Sequence, residues 1–179
     1  MSEQLDGTQF GTPSIHKSVF VAPGVSIVGD VRIGEKASIW FNSVLRGDVQ
    51  RIVVGARTNI QDGCILHGTT NGAPTLVGSQ VTVGHGAILH ACRIEDRAFV
   101  GFGTRVLDDA VVRTGGMLAA GAVLTPGKVV GSGELWAGNP ARFLRNVTEE
   151  EAAGILAAAE RYVALGERYV FSKPVVMHF

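Results

Sequence analysis

Residues 94–130 read IEDRAF VGFGTR VLDDAV VRTGGM LAAGAV LTPGKV V, and every block of six opens on Ile, Val or Leu. The same step, restarted three times, runs through Ile15, Val21, Ile27, Ile33, Ile39 and Leu45, then Val54, Ile60 and Leu66, then Val77, Val83 and Leu89. All nineteen positions are aliphatic, although Ile, Leu and Val make up only about a quarter of the chain. Glycine often follows the aliphatic residue, as at Gly34, Gly55, Gly78, Gly84, Gly101 and Gly131, and a small or branched residue stands four places on, as at Ala37, Ser43, Thr58, Cys64, Ala87 and Thr104. Such hexapeptide repeats are the signature of a parallel β-helix, in which a short strand turns its aliphatic residue inward and small residues make the corner. Period six does not match the 3.6 of a helix, and Gly and β-branched residues at this density oppose one. Antiparallel hairpins would need turn signals such as Asn-Gly, and Asn71-Gly72 stands alone.

The 179 residues suit one domain with a substantial core and a short appendage. Sixteen basic and sixteen acidic side chains cancel, which removes any sequence-independent pull toward nucleic acid or anionic lipid. Neither nucleic acid nor membrane is an expected partner; a small-molecule substrate is. Residues 1–7 lack the basic and apolar regions of a secretory signal, and no apolar run approaches the ~20 residues that span a bilayer. A cytoplasmic protein is expected. Cys64 and Cys92 are then packed free thiols rather than a disulfide.

The ordered motifs Leu45-Arg46-Gly47-Asp48, Asn59-Ile60-Gln61-Asp62, His67-Gly68, Gly84-His85-Gly86 and Leu89-His90-Ala91-Cys92 resemble the γ-class carbonic anhydrase family. The likeness covers about residues 11 to 170. It implies an all-β fold, a left-handed parallel β-helix, here over residues 11–141, with a C-terminal α-helix over residues 148–170. The hand rests on the resemblance alone, because parallel crossovers are normally right-handed and the period does not distinguish the two.

Three hexads make one turn of a triangular coil, so the hexads fall in rotation on three faces. With the Val54 hexad on face A, Ile60 opens face B and Leu66 face C; after an expected loop within His67–Leu76, Val77, Val83 and Leu89 repeat the order. His67 and His90 then stack one turn apart on face C, above Arg46, while His85 and Asp62 sit two residues past the inward aliphatic on face B. A single rod cannot bring both sets together, but a ring of copies laying face C against a neighbour's face B can, and a triangular prism suits three-fold symmetry. The expectation is a homotrimer with three intersubunit metal sites, each of His67 and His90 from one chain and His85 from the next. The resemblance implies the same trimer. Three neutral imidazoles and a water suit catalytic Zn2+, with Fe2+ or Co2+ also acceptable to such a site. Water so bound ionises near neutral pH and can attack CO2 to give bicarbonate. His16 and His178 fall outside the set.

The remaining site residues come from the resemblance. It implies an Arg46–Asp62 salt bridge between subunits, Asn59 and Gln61 near the bound water, an orienting role for Asp48, and a tyrosine of the C-terminal helix, Tyr162, near a neighbour's metal. Corner-capping is the alternative for Asn59 and Gln61, and packing for Tyr162. Cys92, two residues past His90, is taken as packed because three histidines already fill the site. The archetypal enzyme carries a glutamate just after its Arg-Asp motif and acids in the loop after its first histidine. Here Val49 and the acid-free stretch 68–74 stand there instead, so proton export lacks that carrier.

Thr148 and Glu151 form a capping box, and acidic residues 149–151 suit a helix N-terminus. The helix is expected from Glu149 to Val170, with Ile155, Leu156, Ala159, Tyr162 and Val163 on its apolar stripe and Pro174 beyond its end. Rival functions for this pattern are acyl-CoA thioester hydrolysis at the same metal, hexapeptide acyl transfer with one histidine base, and metal or siderophore binding without catalysis.

Overall fold

A computed structural model describes residues 11–172; Pro174 and His178 lie outside them. The hexads form a parallel β-helix of seven turns, counted by the strands of face A. Face B is an eight-stranded sheet, closed at its end by the antiparallel strand Arg142–Asn146 against Glu134–Ala137. Faces A and C join in one eleven-stranded sheet, because Ser26–Ile33 and Val44–Val54 run unbroken around the corner between them. Gly29 and Gly47 stack at that corner, and a Cβ on Gly29, at φ +82°, would lie 2.1 Å from the Gly47 carbonyl oxygen. The pair of glycines lets consecutive turns close up where Arg46 and Asp48 flank the bend.

Sixteen of the nineteen hexad positions, Ile33 through Val130, are buried in one continuous core, with the small corner residues between them. The exceptions sit at the start. Ile15 and Val21 are each 40% exposed and Ile27 is half-buried, since an inward residue of the first turn has a neighbour stacked on one side only. Ile52, which the step of six passes over, is fully buried in the bend of Val44–Val54.

The C-terminal helix, α1, spans Glu149–Ser172. Its capping box forms as expected: the Thr148 hydroxyl accepts from Glu151 N at 3.2 Å, and Glu151 Oε2 accepts from Thr148 N at 3.0 Å. The buried stripe is Ile155, Ala158, Ala159 and Gly166, with Tyr162 and Val163 half-buried. Leu156, expected on that stripe, is instead 37% exposed, because small Ala158 and Gly166 are what allow close approach to the coil. A Cβ on Gly166 would meet Phe20 Cβ at 3.1 Å. α1 lies along the outer side of face B, against Phe20–Val21, Ser38–Ile39, Asn59–Ile60 and Thr82–Val83. Tyr162 and Tyr169 stand edge-on to Trp40, with centroids 5.3 and 5.2 Å away.

Both thiols are buried and free. Burial pushes the Cys64 thiol up to about 11 and raises Cys92 as well. Since the thiolate is the reactive form, neither should react with a disulfide reagent at pH 8 in the native protein, and both should on unfolding; stoichiometric native labelling would contradict this packing. A raised folded value means stability present below the ordinary thiol value of 9.0, then lost between it and about 11, as the unfolded thiol ionises first.

Candidate metal centre

Strand pairing sets His67 directly opposite His90, and Arg46 opposite His67, on the outer side of face C. Alternation explains it: Leu66 and Leu89 point inward, so the next residues point out. His67 Nδ1 and His90 Nε2 face each other at 3.3 Å. The other nitrogen of each ring meets a carboxylate, His67 Nε2 with Asp48 Oδ1 at 3.0 Å and His90 Nδ1 with Asp108 Oδ1 at 2.7 Å. When the outer N–H groups donate to those acids, the inner nitrogens present two lone pairs to each other, a contact that a shared cation satisfies. Two ligands each about 2.0–2.1 Å from a tetrahedral ion stand about 3.3–3.4 Å apart. The separation matches.

His85 sits at the corner between faces B and C, half-exposed, with Nδ1 2.6 Å from Asp62 Oδ2. The corner is a turn, His85-Gly86, stacked on the turn Asp62-Gly63 below through Gly86 N to Asp62 O at 2.8 Å. All three imidazoles therefore carry the same device, one nitrogen tied to an acid and the other turned away from it, which is how proteins orient histidines toward metals. Among the described residues, no three acidic, histidine or cysteine side chains of one chain are placed to hold a metal ion together.

The other expected residues divide between the two histidine groups. Arg46 pairs within the chain with Asp48, at 2.6 Å, and Asp62 pairs with His85 rather than with Arg46. Asp48 is held below the ordinary carboxylate value by its hydrogen bonds to Arg46 and His67, which outweigh the opposing desolvation. Asn59 and Gln61 lie on the outer side of face B, in the region where α1 packs, and the Asn59 amide also reaches the corner carbonyl of Val81 at 3.4 Å. Asn59 Nδ2 donates to Thr82 Oγ1 at 2.9 Å, Gln61 Nε2 donates to Asn59 Oδ1 at 3.1 Å, and Gln61 Oε1 is buried without a partner among the described residues. Tyr162 packs on Trp40; burial raises its hydroxyl above the ordinary value, and the charge of Asp62 adds to this.

Two residues escaped the sequence. Asp108, in a turn at the corner between faces C and A, accepts from His90 and also from the Thr69 hydroxyl of the 68–74 loop. The Thr69 bond comes first and the His90 bond second in holding Asp108 below the ordinary value. The available signal was spacing. Asp108 stands 18 residues, three hexads, beyond His90, and Asp48 stands 19 before His67.

Coil and site together define a hexapeptide-repeat β-helix protein that presents acid-backed imidazoles on its surface. A family model described as bacterial transferase hexapeptide (six repeats) matches residues 12–47. The chain is 48% identical over 161 residues to gamma carbonic anhydrase 2, mitochondrial, of Arabidopsis thaliana, covering 87% of this chain and 58% of that protein. It is 44% identical over 153 residues to a probable carbonic anhydrase of Methanocaldococcus jannaschii, covering 86% of this chain and 96% of that one. A hexapeptide transferase family protein from Anaplasma phagocytophilum, 52% identical, has a TM-score of 0.86 over 89% of this chain and 93% of its own. The chain belongs to the γ-carbonic anhydrase family, and that membership implies a metal cofactor. It spans 58–59% of the length of two of the Arabidopsis relatives. An N-acyltransferase from Bacillus cereus, 12% identical with a TM-score of 0.61, shares the fold alone.

Proposed function

We propose that this protein is a metal-dependent carbonic anhydrase that hydrates CO2 at sites formed between subunits of a homotrimer. The carrying observation is the set of three imidazoles, each backed by its own carboxylate, with His67 and His90 already at the spacing of two ligands. His67 and His90 of one chain and His85 of the next would hold the ion, and the all-nitrogen donor set favours Zn2+, with Fe2+ or Co2+ also accepted. When bound, the ion supplies the Lewis acidity that makes water a nucleophile near neutral pH. The chain's own residues do the rest. Asp48, Asp62 and Asp108 fix the rings. Gln61, Asn59 and Tyr162 lie on the same side of the coil as His85, and of these the half-buried Tyr162 is the one with surface left to reach the neighbour's His67 and His90. Ile65, beside His67 and 44% exposed, gives CO2 an apolar wall.

The position of the helix supports one mode of assembly. Because α1 lies on the first four strands of face B, from Phe20–Val21 to Thr82–Val83, a neighbour cannot lay that part of a bare sheet B on face C; the adjoining corner, with Asp62, His85 and the 54% exposed Phe102, would be the surface that meets it. There Arg46 of one chain and Asp62 of the next are free to exchange their in-chain partners for each other.

Among the described residues no helix is long and apolar enough to cross a membrane. The proposed location is the cytoplasm, which fractionation of the host tests against the "mitochondrial" in the plant relatives' names.

Stopped-flow CO2 hydration on protein of known metal content tests the proposal. The rate should scale with bound zinc or iron and rise with buffer concentration, since Val49 and the acid-free loop provide no proton carrier. A fully metallated trimer without hydrase activity would overturn the reaction assigned here, and acyl-CoA thioesters would be the next substrates to assay.

A further inference from the structure

We propose that Asp108 is a positioning residue for the metal ligand His90, and that Thr69 holds Asp108 in place; the inference rests on the metal site proposed above. His90 Nδ1 lies 2.7 Å from Asp108 Oδ1, and the Thr69 hydroxyl donates to the other oxygen, Oδ2. One oxygen each for ring and hydroxyl fixes the plane of the carboxylate. The backbone of its turn is pinned on both sides, by Asp109 N to Ala91 O at 2.8 Å and by Gly127 N to Asp108 O at 2.9 Å. Ala91 is the residue after His90, so the acid and the ring it serves are built from the same stacked corner. An acceptor at this place selects the Nδ1–H tautomer and turns the Nε2 lone pair toward His67, 3.3 Å away.

The inference also gives the loop after His67 a role of its own. Thr69 lies within the seven-residue stretch 68–74, which holds no acid, and there it ties the segment following one ligand to the acid behind the other. The loop braces the site through a hydroxyl.

The contrasting case is a surface ion pair, since the His90 and Asp108 side chains are 34% and 39% exposed. Such a pair would contribute little to anything. Two readouts separate the cases. In Asp108→Ala, zinc affinity measured by chelator competition should fall about 10–100-fold, and long-range 1H–15N spectra of the metal-free protein should show His90 leaving the Nδ1–H tautomer. Asp108→Asn keeps an acceptor without the charge and should fall between wild type and Ala. Thr69→Val should weaken zinc several-fold, less than Asp108→Ala. Circular dichroism and elution volume should stay as in wild type, which excludes unfolding as the cause. His67→Ala serves as the reference for a destroyed site. Wild-type binding with unchanged affinity and unchanged tautomer in Asp108→Ala would overturn the positioning role and leave the metal site standing. A wild-type chain that binds no zinc at all would overturn the site, and this inference with it.

Discussion

Replacing His90 with alanine is expected to abolish zinc binding while leaving the coil intact. The ring points outward from face C, and its neighbour Leu89, which carries the core contact, is untouched. What the substitution removes is one of the three proposed ligands and the nitrogen facing His67 Nδ1, while Asp108 loses its ring partner. The loss should exceed the ~10–100-fold that follows from disturbing the groups behind a ligand. Zinc that binds the folded state alone stabilises wild type by about 2.7 kcal/mol at a hundred times its Kd. Wild type should therefore melt higher with zinc than with chelator, and His90→Ala should melt alike in both. Its CO2 hydration should drop to that of metal-free wild type. His16→Ala is the matched control, because His16 is exposed, its ring bonds Ser18 Oγ at 2.8 Å and it lies outside the site; it should keep metal and activity. If His90→Ala retained one zinc per chain with the wild-type rise in melting temperature, face C would not be the site.

The parts of the molecule legible in the sequence are those that repeat. A strict step of six forces aliphatic residues inward and, by alternation, forces His67 and His90 outward in register, so the pairing of these two rings follows from counting alone. The capping box at Thr148 and Glu151 is legible for a similar reason, since it is closed within four residues. Contacts between elements of unrelated period are not. The stripe on α1 says that one side of the helix is buried but not which face of the coil buries it, so its seat on the first four strands of face B came only with the structure. The exposure of Ile15 and Val21 is an end effect that no repeat announces. Asp108 was missed because acids are common in turns. Its meaning depends on a corner of one turn lying beside the outward residue of the turn before it, a relation that appears only when the three-hexad spacing is applied to acids as well as histidines.

Chains carrying His85→Ala and chains carrying His67→Ala should each be inactive alone, yet regain activity when co-expressed. In the intersubunit arrangement, His67 comes from one chain and His85 from the next around the ring. A His85→Ala chain still offers an intact face C, with His67, His90 and their acids, and a His67→Ala chain still offers an intact corner, with His85 and Asp62. Wherever the first follows the second in the correct sense around the ring, one complete site forms. For random assembly of equal amounts into heterologous rings, about a quarter of the junctions meet this condition. The mixed preparation should thus hold about a quarter of the wild-type zinc and show about a quarter of its hydration rate, while each variant alone shows neither. The arithmetic has no counterpart for a site built within one chain, where every chain would lack a ligand and mixing would restore nothing. Among the described residues the three imidazoles do not converge in one chain, and that separation is what makes complementation the expected result. Zinc and activity that stayed at the level of the single variants would rule out the shared site and return the question to face C alone, where His67 and His90 would have to bind with a third ligand from elsewhere.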